Sequence, residues 1–155
     1  MKRLNATTLA LFVSAIVAAD GCDRIPTPEG FVELKPVGAY SYRAVSADGA
    51  VILVRSVENP KQGTLAFWTQ AVKNELVASR GYTLDGESAV KTKGGLAGTE
   101  LTMRTHLEGV EYLYVVTLFV RGNRVVIVEA TGPKTALTPS LPKIREAIRS
   151  VGSAS

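Results

Sequence analysis

Apolar residues recur along this chain with two periods, and together they predict a domain built of an antiparallel sheet and helices. Phe31 to Lys35 alternates apolar and polar and reads as a short first strand. Tyr40 to Ser46 and Ala50 to Val57 flank Ala47-Asp48-Gly49, and Asp-Gly between two strand-like runs is a strong hairpin signal. The unbroken Val51-Ile52-Leu53-Val54 predicts a strand covered on both faces. Asn59-Pro60 and Gly63 then mark a loop. From Thr64 the period changes. Leu65, Trp68, Val72 and Leu76 share one face of a helix that Thr64 caps and that runs to about Arg80, with Gly81 just past its end. After Tyr82-Thr83-Leu84 the pattern is weak through Lys93. It sharpens again at Glu100 to Leu107, where Leu101, Met103, Thr105 and Leu107 fall on one side. Glu108-Gly109 and Gly122-Asn123 separate this strand from Tyr112–Arg121 and Arg124–Ala130, which gives a three-stranded meander. Gly132-Pro133 ends it. Leu141, Ile144, Ile148 and Val151 then predict a closing amphipathic helix, capped at Thr138 or Ser140.

The first 21 residues follow a different logic. Lys2 and Arg3 precede the apolar stretch Leu9 to Ala19, about eleven residues where a membrane-spanning helix needs roughly 20. A basic start, a short apolar middle and small residues at a boundary are the pattern of a secretory signal. Cys22, the single cysteine, stands at that boundary and resembles the lipid-bearing first residue of a bacterial lipoprotein. Gly21 fits that pattern and Asp20 departs from it. Ordinary cleavage after Val17-Ala18-Ala19 is the alternative, and it leaves Cys22 as a free thiol. A lipoprotein cysteine carries at least two acyl chains, the number that stable anchoring takes. Asp23 resembles the residue that retains some enterobacterial lipoproteins in the inner membrane. The organisation expected is therefore a signal peptide over 1–21, a linker over 22–30 carrying two prolines, and one domain over 31–151.

Charge and cysteine content narrow the partners. The signal holds two cations and one anion, so its removal lowers the formal charge from +4 to +3. The bases are scattered rather than clustered with aromatics, which together with export argues against a nucleic-acid partner. One cysteine allows no disulfide within the chain, and one histidine cannot complete a zinc set. No cofactor and no metal site is expected.

The order strand, hairpin, helix, strands, long antiparallel meander and closing helix resembles the PsbP-like fold. The resemblance rests on that order and on the hairpin EYLYVVTLFVRGNRVVIVEATGP followed by a helix ending Ile148-Arg149-Ser150-Val151. It covers about residues 29–151. It implies an α+β, α/β/α sandwich, the architecture of the extrinsic photosystem II subunit, of a eukaryotic Ran-binding protein and of small bacterial lipoproteins. The family's early strand often continues into a proline and a later tryptophan; here Pro36 is followed by Tyr40, and the only tryptophan is Trp68. No residue carries over a manganese-cluster or Ran-binding role. What the resemblance implies is a non-enzymatic scaffold that binds or stabilises something.

The residues themselves offer little catalytic chemistry. His106 has the ring for general base or metal-ligand work, but its strand position also suits a plain exposed residue. Gly86-Glu87-Ser88-Ala89-Val90 lacks the last glycine of a serine-hydrolase elbow and reads as an ordinary turn. The glycine-rich Lys93–Thr99 stretch lacks the Lys-Ser/Thr pair of a phosphate loop and leads into a strand. Two binding features remain. Lys91, Lys93, Arg121 and Arg124 form a basic edge if they meet in space, attractive to anionic lipid or an acidic partner, or else a solvated surface. Tyr40, Tyr42, Tyr112 and Tyr114 suit either a half-buried strand face or a binding surface. The expectation is an exported, membrane-anchored, non-enzymatic binding or assembly factor on the periplasmic or surface side of a bacterial envelope. The alternative is a small-ligand-binding protein with a cleft between sheet and helix near Trp68.

Overall fold

A computed structural model of the chain describes residues 23–152; the signal segment and Cys22 lie outside the described residues. Seven strands and two helices follow one another as β1 (Phe31–Leu34), β2 (Tyr40–Ser46), β3 (Val51–Glu58), α1 (Leu65–Lys73), β4 (Thr83–Lys91), β5 (Ala97–Leu107), β6 (Val110–Arg121), β7 (Arg124–Pro133) and α2 (Lys134–Ile148). They form one antiparallel sheet in the order β1-β2-β3-β7-β6-β5-β4. Two meanders, β1–β3 and β4–β7, are thus joined where β3 pairs with β7. The last strand made lies in the middle.

That position explains the unbroken apolar runs in β6 and β7. Successive side chains of a strand point to opposite faces, and here each face has a helix to meet. Leu113, Val115, Phe119, Val126 and Val128 join Tyr42, Ile52 and Val54 beneath α2. Val116, Leu118, Val125 and Ile127 join Leu101, Met103 and Leu76 beneath α1. At roughly 1.5–3 kcal/mol for each large side chain fully buried, these two layers dominate the stability of the sheet. In β3 only one face is closed. Ile52 and Val54 are buried, whereas Val51 and Leu53 are half-buried, so the two-sided cover expected of that run is not found.

Thr64 caps α1 as expected, its hydroxyl accepting from the Phe67 N–H at 3.1 Å. The helix then widens into a π-helical turn over Asn74–Ser79 and closes with the Arg80 N–H donating to the Glu75 carbonyl. The terminal helix begins six residues earlier than Ser140. Pro139 and Pro142 lie inside it on the solvent side, where water can satisfy the Thr135 and Thr138 carbonyls they leave without a donor. Ser140 is therefore no cap; its hydroxyl bonds back to the Ala136 carbonyl. β4 occupies the stretch with weak pattern, so the meander has four strands rather than three. Edge position is the reason: nearly all its side chains are exposed, and nothing selects for alternation. Leu107, expected on the apolar side of β5, is 60% exposed beyond the reach of α1.

Residues 23–30, expected as a linker, carry no strand or helix but are held against the domain. Ile25 and Phe31 enter the core beneath α2, Pro28 is buried, and Tyr42 donates its hydroxyl to Thr27 Oγ1 at 3.0 Å. No helix among the described residues is long and apolar enough to cross a membrane.

Candidate functional site

Trp68 lies at a cleft of about 220 Å³ between α1 and the sheet. The helix supplies Trp68, Val72 and Leu76 because these residues recur at helical spacing on its inner face. The central strands supply Val116 and Ile127 from β6 and β7. One charged residue interrupts this apolar floor. Glu129 is buried in β7, where an unpaired carboxylate would be costly. It is compensated twice: the Tyr114 hydroxyl donates to Oε1, and Arg55 Nε donates to Oε2 at 3.2 Å. Burial, followed by the negative charge of Glu129 and the hydrogen bond to it, raises the Tyr114 phenol far above its ordinary value, so it stays protonated. Tyr82 packs on Tyr114 with ring centroids 5.4 Å apart. The indole N–H of Trp68 is occupied, donating to Asn59 Oδ1 at 3.1 Å, which leaves the ring as a contact surface. Glu75 and Arg80 pair at 3.0 Å on the rim. This arrangement suits an apolar or aromatic body with a hydrogen-bonding group at Arg55 and Glu129.

A second cleft, about 470 Å³, runs on the opposite face between α2 and the outer strands. Arg145 reaches from the helix to the buried Glu100 of β5, donating from Nη2 to Oε1 at 2.7 Å and from Nε to Oε2 at 3.0 Å. The Thr117 hydroxyl beside them is buried without a partner. Lys91 and Ser88 stand at its outer wall. Ser88 is an exposed residue of β4, so the segment around it is neither a nucleophile elbow nor the ordinary turn expected.

The four bases of the expected edge come to one end of the sheet. Arg121 and Arg124 face each other across the β6–β7 turn, Lys91 ends β4, and Lys93 follows in the β4–β5 turn, its N–H donating to the Arg149 carbonyl at 2.7 Å. Three of them have acidic partners. Arg121 and Arg124 approach Asp23 at 3.1 and 3.9 Å, and Lys93 lies 2.8 Å from Glu146. The glycines of the Lys93–Thr99 stretch serve geometry, Gly95 in the turn and Gly98 at the start of β5. Gly95 turns the chain with φ of 89°, and Gly98 lies so close to Phe119 that a Cβ there would stand 2.5 Å from its ring.

His106 is exposed near the far end of β5, opposite Glu111. No cluster of His, Cys, Asp and Glu suited to a metal occurs among the described residues. Of the tyrosines, Tyr42 is core, Tyr114 belongs to the Glu129 network, and Tyr40 and Tyr112 are half-buried. Sequence reasoning missed Glu129 and Glu100, and it read Asp23 only as a sorting residue, not as the buried partner of Arg121 and Arg124. A lone carboxylate inside the apolar run of Val125–Ala130 was the available signal for the first, since a buried charge demands a partner.

No protein-family model matches the chain, and no curated protein sequence matches it. Solved structures do. The chain is similar to LpqN of Mycobacterium tuberculosis, a protein involved in cell envelope biogenesis, with 16% identity and a TM-score of 0.63 over 80% of this chain and 78% of that one. It is similar to the cyanobacterial PsbP (CyanoP) of Synechocystis sp. PCC 6803, with 13% identity and a TM-score of 0.58 over 82% and 83%. It is also similar to the Ran-binding protein Mog1p of Saccharomyces cerevisiae, with 17% identity and a TM-score of 0.51 over 79% and 77%. The seven-stranded antiparallel sheet between two helices is thus a PsbP/Mog1-like fold, an α+β sandwich.

Proposed function

We propose that this chain is an exported, lipid-anchored binding or assembly factor of the bacterial cell envelope, acting without catalysis. The observation that carries the reading is the meeting of two boundaries. The signal-like segment ends at Cys22, and the next residue, Asp23, is already buried in the domain. The likeness in fold to an envelope-biogenesis protein supports the same setting. The test is the intact mass of the mature protein from a membrane fraction, wild type beside Cys22→Ser. A chain starting at Cys22 with a lipid adduct, lost in the variant, is expected. A plain chain starting at Asp20 would overturn the anchor.

A second reading, small-ligand binding, is favoured by the cleft at Trp68, where the buried Glu129 is held by the half-buried Tyr114 and Arg55. A ligand against the indole would shift Trp68 emission saturably, and Arg55→Ala would weaken that shift. Emission unchanged across a broad screen of apolar and aromatic compounds would argue against it.

A further inference from the structure

Asp23 is the first described residue, and it is tied down by three contacts. Ser56 donates its hydroxyl to Oδ2 at 2.6 Å, Arg121 Nη2 donates to Oδ1 at 3.1 Å, and the Ser41 hydroxyl donates to the Asp23 carbonyl at 2.7 Å. Its side chain is 3% exposed. Consecutive Cα atoms are about 3.8 Å apart, so a lipid on Cys22 would meet the domain with no slack. The chain enters at one end of the sheet. That end holds the β6–β7 turn, the β4–β5 turn and the C-terminus of α2, where the Arg121 guanidinium lies against Gly152.

The two ends of the sheet differ in charge. Lys61, Lys91, Lys93, Arg121, Arg124 and Arg149 gather at the entry end against Asp23, Glu58 and Glu146, a net excess of three positive charges. The opposite end lies roughly 36 Å away along the twelve residues of β6, at about 3.3 Å each. There Asp48, Asp85, Glu108 and Glu111 stand against Lys134 and Arg104, a net excess of two negative charges. Phe67, 60% exposed in the first turn of α1, belongs to the entry end as well, through the Asn59 N–H that donates to the Asn123 carbonyl. An exposed apolar ring at an end with excess positive charge suits the boundary of an anionic membrane.

From these observations we infer that the basic end of the sheet lies on an anionic bilayer, with Asp23 as the latch that holds the domain upright on its own lipid anchor. The strands then stand away from the membrane and the β5–β6 turn, with exposed Leu107 and Val110, projects into the envelope. The inference rests on the lipid-anchor reading, and the experiment keeps the two apart. Full-length lipidated protein is reconstituted into phosphatidylglycerol-containing vesicles, its adduct confirmed by intact mass, and its lysines are acetylated and quantified. Non-lipidated Cys22→Ser protein without vesicles gives the reference.

Severalfold slower modification of Lys61 and Lys93 is expected, with Lys134 unchanged. A flexible Gly-Ser insertion between Cys22 and Asp23 should return Lys61 and Lys93 toward the reference, and Asp23→Asn should do so in part. If the insertion disturbs folding, seen as altered Trp68 emission, Asp23→Asn carries the comparison. An adduct with uniform protection, or with Lys134 the most protected, would overturn the orientation while leaving the anchor standing. No adduct would overturn the anchor, and the orientation with it.

Discussion

Two buried polar groups show how differently a single atom can be accommodated in this sheet. Glu129 has both oxygens engaged, whereas the Thr117 hydroxyl has no partner. An unsatisfied buried hydroxyl costs about 1–3 kcal/mol, so Thr117→Val, which keeps the shape and removes the polar atom, should stabilise the domain by about 1 kcal/mol in urea denaturation. Loss of stability would show that the hydroxyl is satisfied in solution. Tyr114 makes the complementary case. Its phenol is raised in the folded state, chiefly by burial and by Glu129, so folding favours the protonated form. That contribution is complete below the unfolded value of about 10 and is lost as pH rises above it. Alkaline titration of stability should therefore fall less steeply in Tyr114→Phe than in the wild type, and equal slopes would remove the coupling. Gly98 is constrained by space instead of charge: Gly98→Ala would set a Cβ 2.5 Å from Phe119 and should cost about 1–3 kcal/mol, read as a lowered melting temperature.

Helix α2 holds two prolines where a sequence pattern would end a helix, and its persistence shows that packing decides. Ala136, Leu137, Leu141, Ile144, Ala147 and Ile148 are all buried along one stripe, while Pro139 and Pro142 face water. Restoring the missing donor by Pro139→Ala should stabilise the protein by about 1–2 kcal/mol, the full helix gain being offset by a more flexible unfolded chain. An unchanged urea midpoint would mean that the first turns of α2 contribute little. The same contest sets what was legible beforehand. Helix α1, the 108–109 and 122–123 turns and the core strands β5 to β7 were readable because burial imposes a period on them. Strand β4 was not, because an edge strand exposed on nearly all positions imposes none. The Trp68 cleft was readable only as a place beside a helix. Its polar partners Arg55, Tyr114 and Glu129 come from three strands whose neighbours are fixed by sheet order, and β3 meets β7 only after 65 residues of intervening chain, between Glu58 and Arg124.

The way the chain begins its fold bears on how the molecule is held. Residues 23–30 look like a tether by composition, since prolines and polar residues need no core. Yet Ile25 lies under α2 and the Asp23 carboxylate stands between the two arginines at the β6–β7 turn, offsetting one of their two charges. Removing the segment would strip one large apolar side chain from the core and leave Arg121 and Arg124 facing each other across the turn without their carboxylate. Burial of the isoleucine contributes roughly 1.5–3 kcal/mol, and hydrogen bonds to charged groups about 1.5–3 kcal/mol. A chain starting at Phe31 should therefore be less stable than one starting at Asp23 by about 3–6 kcal/mol, a large share of the 5–15 kcal/mol typical of a domain. Paired urea denaturations of the two chains give the measurement. Equal midpoints would make residues 23–30 a passive tether, and a domain free to tumble beneath its lipid would follow. A lowered midpoint in the shorter chain makes the segment part of the fold, so that whatever holds Cys22 also holds the sheet.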